Sequence, residues 1–429
     1  MITTNGFQTF MRKASTRVKF AEIYGPDNSS LDYQIDRYIN LFNLFQSEFP
    51  VANQVRLFST SGRTEIAGNH TDHQHGHVLC ASVDMDIIAV VSPNNENIIR
   101  LKSEGYDKAD VIELNILNPI ESEKLHSSAL IRGIAAAFKE RGHKIGGFDA
   151  YTTSCVPKGS GLSSSAAFEI LVSTILNYLY NGGELNPVEM AIISQKSENL
   201  FFGKPCGLMD QCGCAAGGVM AIDFKDPKLP VLESLNVDFE KYGYSLVITN
   251  TGGSHANLTD DYALITQEMK SVAEYFGKKY LREVKYDDFI TSLSGLRKKV
   301  SDRSILRAIH YFNDDKRVAL QADALKKGNI DYFLELVNES GLSSWTYLQN
   351  VYSVNDYANQ SVSLAIAITK EFLVGKGAVR VHGGGFAGTI QAFVPINVAD
   401  EYISLMNEIF GENNSWKIRI RNIPTTEII

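Results

Sequence analysis

Polar residues crowd into one short stretch of this sequence. Between Gly62 and Gly76 stand Arg63, Glu65, Asn69, His70, Asp72, His73, Gln74 and His75. Apolar runs flank the stretch on both sides, so it reads as a loop joining two strands. Such a set supplies both donors and acceptors, the inventory needed to grip a polyhydroxylated ligand. Two other readings stand beside this one. The polar groups of an average loop are simply solvated, and His70, His73 and His75 sit at spacings that also suit a metal.

A second stretch runs from Val156 to Leu179, VPKGSGLSSSAAFEILVSTILNYL. Gly159-Ser160-Gly161 makes a flexible turn, and Ser163, Ser164 and Ser165 follow it. Phe168, Leu171, Val172, Ile175, Leu176 and Leu179 then recur at helical spacing. A loop therefore feeds the start of a buried helix. The first N–H groups of a helix lack internal partners and carry partial positive charge. With glycines and hydroxyls beside them they make an anion site, most simply for phosphate. The plainer reading is a serine-capped helix. Two carboxylates complete the inventory. Glu198 stands among polar neighbours on a helix that Asn186-Pro187 starts. Asp210 reads as part of a glycine-flanked turn before the strand-like VMAIDF, where an aspartate commonly serves as a cap.

The elements that must position these groups read as follows. Residues 1–50 are mostly helical. Strands are expected from Val55, on either side of the polar insert, and over 98–116. A helix covers Ser127–Arg141, and a strand from Gly147 leads into the serine turn. The Pro- and charge-bearing segment 225–243 marks a domain junction. Tyr244–Asn250 is a strand and Tyr262–Phe276 a helix. Helices fill 295–345 and Val354–Val374. The end reads as strand, Gly-rich turn His382–Gly388, strand, helix from Asp400 to Phe410, and strand. The Gly-rich turn lets backbone approach a partner strand or a phosphate.

Bulk properties bound the function. The chain has 429 residues, 44% apolar and 21% charged, with a net charge of −8. Two domains, with three as the alternative, are expected from that length. No block of Lys and Arg suggests a nucleic-acid footprint, and no apolar run suggests a membrane span. The opening MITTNGFQTFMRKAS lacks the order of a signal peptide. The five cysteines are odd in number and irregular in spacing, which suits a reducing cytoplasm. Cys212-Gly-Cys214 has no second pair to complete a zinc site.

Four segments, in this order, resemble the motifs of the galactokinase branch of the GHMP sugar and small-molecule kinases. GRTEIAGNHTDHQHG resembles G-R-x-N-L-I-G-E-H-T-D-Y-x-x-G. PKGSGLSSSAAFE resembles the family's ATP loop, P-x-G-x-G-L-S-S-S-A. ENLFFGKPCGLMDQ resembles E-x-x-x-x-G-x-x-C-G-x-M-D-Q, and VRVHGGGFAGTIQAF resembles the C-terminal glycine motif. The resemblance implies an α+β, two-domain fold with the active site in the interdomain cleft. Residues 1–235 would carry the sugar signature and ATP loop, and residues 236–429 the glycine motif. It implies ATP and Mg2+ as cofactors and a sugar as the other ligand, with no nucleic acid, no membrane and a monomer favoured. By the same resemblance, Arg63 lies near the transferred phosphoryl group and Asp210 beside the sugar's anomeric hydroxyl. Ser165 and Glu198 contact magnesium. Gly159, Ser160, Gly161, Leu162, Ser163, Ser164 and Ser165 cradle the triphosphate, with Ser103 on the nucleotide side. Asn69, His70, Thr71, Asp72 and Tyr262 bind the sugar.

The chemistry is consistent with phosphoryl transfer, which needs positioning and charge stabilisation more than covalent catalysis. Asp210 would act as a general base towards the C1 hydroxyl or only orient it. The sequence departs from the signature at Asn69, where the family has a glutamate that contacts the sugar's C6 hydroxyl, and at His73, where it has a tyrosine. An amide also bonds a hydroxyl, so D-galactose is the expected acceptor. Losing a buried like-charge contact worth roughly 1–3 kcal/mol or more makes galacturonate, or another galacto-configured sugar, the alternative. A non-catalytic sugar sensor is a third reading. Arg63, Ser165, Glu198 and Asp210 occurring together argue against it. His70-Thr71-Asp72 argues against acceptors with few hydroxyls, such as mevalonate or homoserine.

Overall fold

The computed structural model describes residues 2–428 except 158, 205, 254–257 and 387. Its backbone is organised by one long hairpin, Gln54–Ala67 with His77–Pro93. One half of His77–Pro93 pairs with Phe148–Ser154, the other with Val219–Asp223, which in turn pairs with Val231–Leu235. Ile98–Ser103 runs parallel to Phe148–Ser154, and Asp110–Glu113 pairs outside it. A second, antiparallel sheet orders Ala378–His382, Thr389–Pro395, Tyr244–Asn250 and Ser415–Ile418. Near its two ends the chain returns to a single strand: Ile2 registers with Val55, and Thr426 with Ser59.

Strand alternation decides which layer each residue joins. Leu57, Ile88 and Val90 face the N-terminal helices Phe7–Met11, Ala14–Tyr24 and Asn28–Glu48. Phe58, Ala89 and Val91 face the main core, where the helix Ser164–Tyr180 buries Ile170, Leu171, Val172, Ile175 and Leu176 completely. Burying each such side chain stabilises by about 1.5–3 kcal/mol. That packing fixes where the front of the helix sits, and with it the serine turn. Behind the turn, Arg37 donates to Asp86 Oδ1 at 2.5 Å, and the Asp86 carbonyl accepts from the Cys155 amide at 3.0 Å. The N-terminal helices thus hold the strand end from which the turn departs.

Three sequence expectations are corrected, and one segment gains an element. The polar insert begins later than expected, because the first strand continues to Ala67 and carries Arg63 and Glu65. Thr60, Ser61, Arg63, Thr64 and Glu65 are all buried, so polar side chains fill strand positions that ordinarily read as loop. Asp210 lies in the first turn of a helix, Met209–Ala216, rather than in a turn. Gly213 interrupts that helix's pattern because a Cβ there would sit 2.8 Å from Arg63 Cβ. The helix expected over Val354–Val374 is confined to Ser361–Leu373 after a single 3-10 turn. The junction segment contains the strand Val231–Leu235.

Candidate active site

Arg63 and Asp210 meet directly although 147 positions separate them. Arg63 donates to Asp210 Oδ1 from Nε at 2.8 Å and from Nη2 at 2.5 Å, and its Nη1 donates to the Gly161 carbonyl. Asp210 Oδ2 accepts from Ser163 Oγ at 2.5 Å. Burial alone would raise the Asp210 pKa. The charge of Arg63 and the hydrogen bonds from Ser163 and Arg63 outweigh it and hold the carboxyl below its ordinary value. Arg63 is nearly buried while the Asp210 side chain keeps 35% of its exposure. The pair therefore presents a partly exposed, ionised carboxylate with its cation behind it.

Ser163 has φ 57 and ψ 60, a left-handed backbone unusual for a residue with a Cβ. This turn aims its hydroxyl at Asp210 rather than at the helix it precedes. No side chain caps Ser164–Tyr180, so its first amides stay available. Ser164 and Ser165 are half-buried, and their hydroxyls make no hydrogen bond among the described residues. Ser160 turns inward instead: it donates to the Pro157 carbonyl at 2.6 Å and accepts from the Leu162 amide at 3.3 Å. The Leu162 carbonyl accepts from the Arg63 amide at 3.1 Å. Gly161, at φ 69, lies against His382 and Thr389, and a Cβ would come within 2.8 Å of each. The serine turn and the glycine-rich turn are thus neighbours.

The signature residues take unequal places. His70, itself left-handed at φ 59, bonds the Gly384 carbonyl through Nε2 at 3.0 Å, and burial lowers its pKa to about 4. Asp72 Oδ1 accepts from the His73 amide at 2.8 Å. Its Oδ2 lies so close to Gly207 that no Cβ fits there. Burial above all, together with the charges of Asp210 and Glu65, raises the Asp72 carboxyl to about 7. Tyr262 donates to the Gly385 carbonyl at 2.9 Å and packs edge-on to Phe386. Asn69 and Thr71 are turned into the protein. Asn69 Nδ2 donates to Glu65 Oε1 and the Gly383 carbonyl, and its Oδ1 accepts from Asn350 Nδ2 at 2.8 Å and Ser344 Oγ at 3.3 Å. The Thr71 hydroxyl closes its own turn on the Gly68 and His77 carbonyls. Ser103 pairs with Thr152 Oγ1 at 3.0 Å on the neighbouring strand.

Glu198 is buried, and its Oε2 accepts from Gln211 Nε2 at 2.9 Å. The same amide donates to Glu169 Oε2 at 3.1 Å, leaving Glu169 Oε1 buried without a partner. Burial, and then the charge of Glu198, pushes the Glu169 carboxyl well up. Sequence reasoning missed Glu169 and Gln211. The available signal was the spacing: Glu169 is four residues after Ser165, hence on the same helix face, in an otherwise apolar run. Among the described residues no group of three or more His, Cys, Asp or Glu is arranged for a metal ion. His75 stacks on Tyr280 at 3.6 Å. Cys212 and Cys214 are buried thiols whose pKa values burial drives up.

Comparison with known proteins shows what the chain is similar to. Residues 129–218 match the family "GHMP kinases N terminal domain", and residues 43–93 match the "Galactokinase galactose-binding signature". A galactokinase of Glaesserella parasuis is 29% identical over 374 residues, 86% of this chain and 91% of the relative. The crystal structure of Lactococcus lactis galactokinase complexed with galactose superposes with a TM-score of 0.78 at 21% identity, over 91% of this chain and 99% of that one. Mevalonate kinase of Methanococcus jannaschii shares the fold more loosely, with a TM-score of 0.60 at 16% identity over 86% and 99% of the two chains. These matches support a kinase phosphotransferase of the GHMP class on an α+β fold, a class that implies the use of ATP. Within that class they support the galactokinase branch.

Proposed function

We propose that this protein transfers the γ-phosphoryl group of ATP to the anomeric hydroxyl of D-galactose. The observation that carries the reading is the carboxylate of Asp210, fixed on one oxygen by Arg63 and on the other by Ser163, beside the uncapped front of Ser164–Tyr180. In this reading Asp210 orients the C1 hydroxyl and accepts its proton. Arg63 keeps that carboxylate ionised and places positive charge where phosphoryl oxygens gather in the transition state. The amides after Ser163, with Ser164 and Ser165, hold the phosphates. His70, Asp72 and Tyr262 border the sugar. The two lobes are residues 1–235 and 236–429, with Arg421 and Thr426 reaching back to the first sheet.

The oxygen donors of Ser165 and Glu198, together with the partnerless Glu169 Oε1, suit magnesium, a hard cation that keeps several waters. Ser165 and Glu198 would hold it. When bound, it neutralises charge on the phosphates. A coupled ADP-release assay over galactose, galacturonate, N-acetylgalactosamine, arabinose and glucose tests the proposal. Turnover on galactose is expected, and no turnover on any of these sugars overturns it.

A further inference from the structure

The departure at Asn69 is half of a reciprocal exchange. The signature G-R-x-N-L-I-G-E has an amide four positions before a carboxylate. This chain has the carboxylate first, Glu65, and the amide second, Asn69. The structure gives the exchange a geometry. Glu65 lies two residues after Arg63 on one strand, so both side chains point to the same face. Its Oε1 is shared between the Arg380 guanidinium and Asn69 Nδ2. Its backbone is held as well, by the Arg380 bond to its carbonyl at 3.1 Å and by His382 Nε2 at its amide. The residue is 2% exposed.

Glu65 Oε2 is different. It makes no hydrogen bond among the described residues. The Glu65 side chain as a whole keeps 3% of its exposure. Its charge is felt by both Asp72 and Arg63. Glu65 thus adds a third carboxylate to the region that Asp210 and Asp72 already line, with Arg63 the cation among them. Asn69, by contrast, has both amide hydrogens and its oxygen committed to protein.

Building on the kinase reading above, we propose that Glu65 is a substrate-binding residue whose Oε2 accepts a hydrogen bond from one sugar hydroxyl. Arg380 and Asn69 are positioning residues that hold its other oxygen. The carboxylate that the signature places at position 69 is supplied here from position 65. A neutral polyhydroxylated acceptor suits this acidic wall, and an acceptor bearing its own carboxylate is repelled by it. The site therefore selects galactose and rejects galacturonate, in spite of Asn69.

The test uses the full chain and the ADP-release assay, with D-galactose, its 2-, 3-, 4- and 6-deoxy analogues and D-galacturonate. Wild-type protein is expected to prefer galactose to galacturonate by about 100-fold or more in kcat/KM. Glu65→Gln is expected to raise the galactose KM by about 10- to 100-fold while the ATP KM stays within about twofold. One deoxy sugar should show no further loss in the variant, because it lacks the hydroxyl that Glu65 accepts. A folded E65Q with unchanged galactose KM overturns this assignment alone. If E65Q does not fold, the wild-type comparison decides: equal efficiency on galacturonate and galactose overturns it. No turnover of any sugar by the wild-type protein overturns the kinase reading, and this assignment with it.

Discussion

Two neighbouring aspartates are held in opposite ways. Asp210 has a guanidinium on one oxygen and a serine hydroxyl on the other, and its pKa is held down. Asp72 has one backbone amide and two carboxylates within range of its charge, and its pKa rises to about 7. Neither side chain is specified by its residue type. The difference comes from what reaches each oxygen, and it separates a group that its partners hold charged from one whose charge depends on what lies beside it.

The largest effect expected on this contrast is at Asp210. Asp210→Asn removes the proposed proton acceptor and is expected to lower kcat by about 10³-fold, with ATP binding measured by calorimetry largely retained. Retained turnover would remove Asp210 from the mechanism. Arg63→Met follows. It strips the charge that depresses the Asp210 pKa, so the acidic limb of the pH–rate profile should move upward, with kcat lower throughout. An unmoved limb would mean that Arg63 does not control this carboxyl.

Asp72→Asn should act mainly on the sugar KM, by about tenfold, and should abolish an ionisation near pH 7 in kcat/KM. The stability sign follows from the raised pKa. The folded protein binds this proton more tightly than the unfolded chain, so stability is lost as pH rises from the ordinary aspartate value through about 7. Asp72→Asn should therefore raise Tm by about 2–4 °C at pH 8 and leave it nearly unchanged at pH 4. A gain of equal size at both pH values would contradict the raised pKa. Ser163→Ala, which removes one neutral donor from Asp210, should cost about five- to tenfold in kcat. Ser103→Ala should leave the ATP KM within about twofold, since that hydroxyl is already paired with Thr152. A larger rise would place Ser103 at the nucleotide.

Much of this was legible in the sequence, and the exceptions share a cause. Helical spacing from Phe168 to Leu179 located the buried helix, and the turn before it carried its own signals. The meeting of Arg63 with Asp210 was reachable only by resemblance, because no local pattern spans 147 positions. Asn69 looked free for a ligand because its partners lie far away in sequence, Asn350 at a separation of 281 and Gly383 at 314. The strand to Ala67 looked like a loop because its buried polar groups are satisfied by segments distant in sequence: Thr60 by Thr425, Ser61 by Cys214, Arg63 by Asp210, Thr64 by His382 and Glu65 by Arg380. Periodicity reports burial of apolar surface and is silent about polar side chains that such segments satisfy.

The strand that carries Arg63 has one long edge shared by Ile2–Thr3 and Thr426–Glu427. During synthesis the first partner precedes the strand, while the second emerges only after residue 425. Until then the backbone beside Phe58 and Ser59 is an open template, the kind of edge that pairs with other chains. The interval before residue 426 leaves the ribosome is thus one in which this edge is open to other chains.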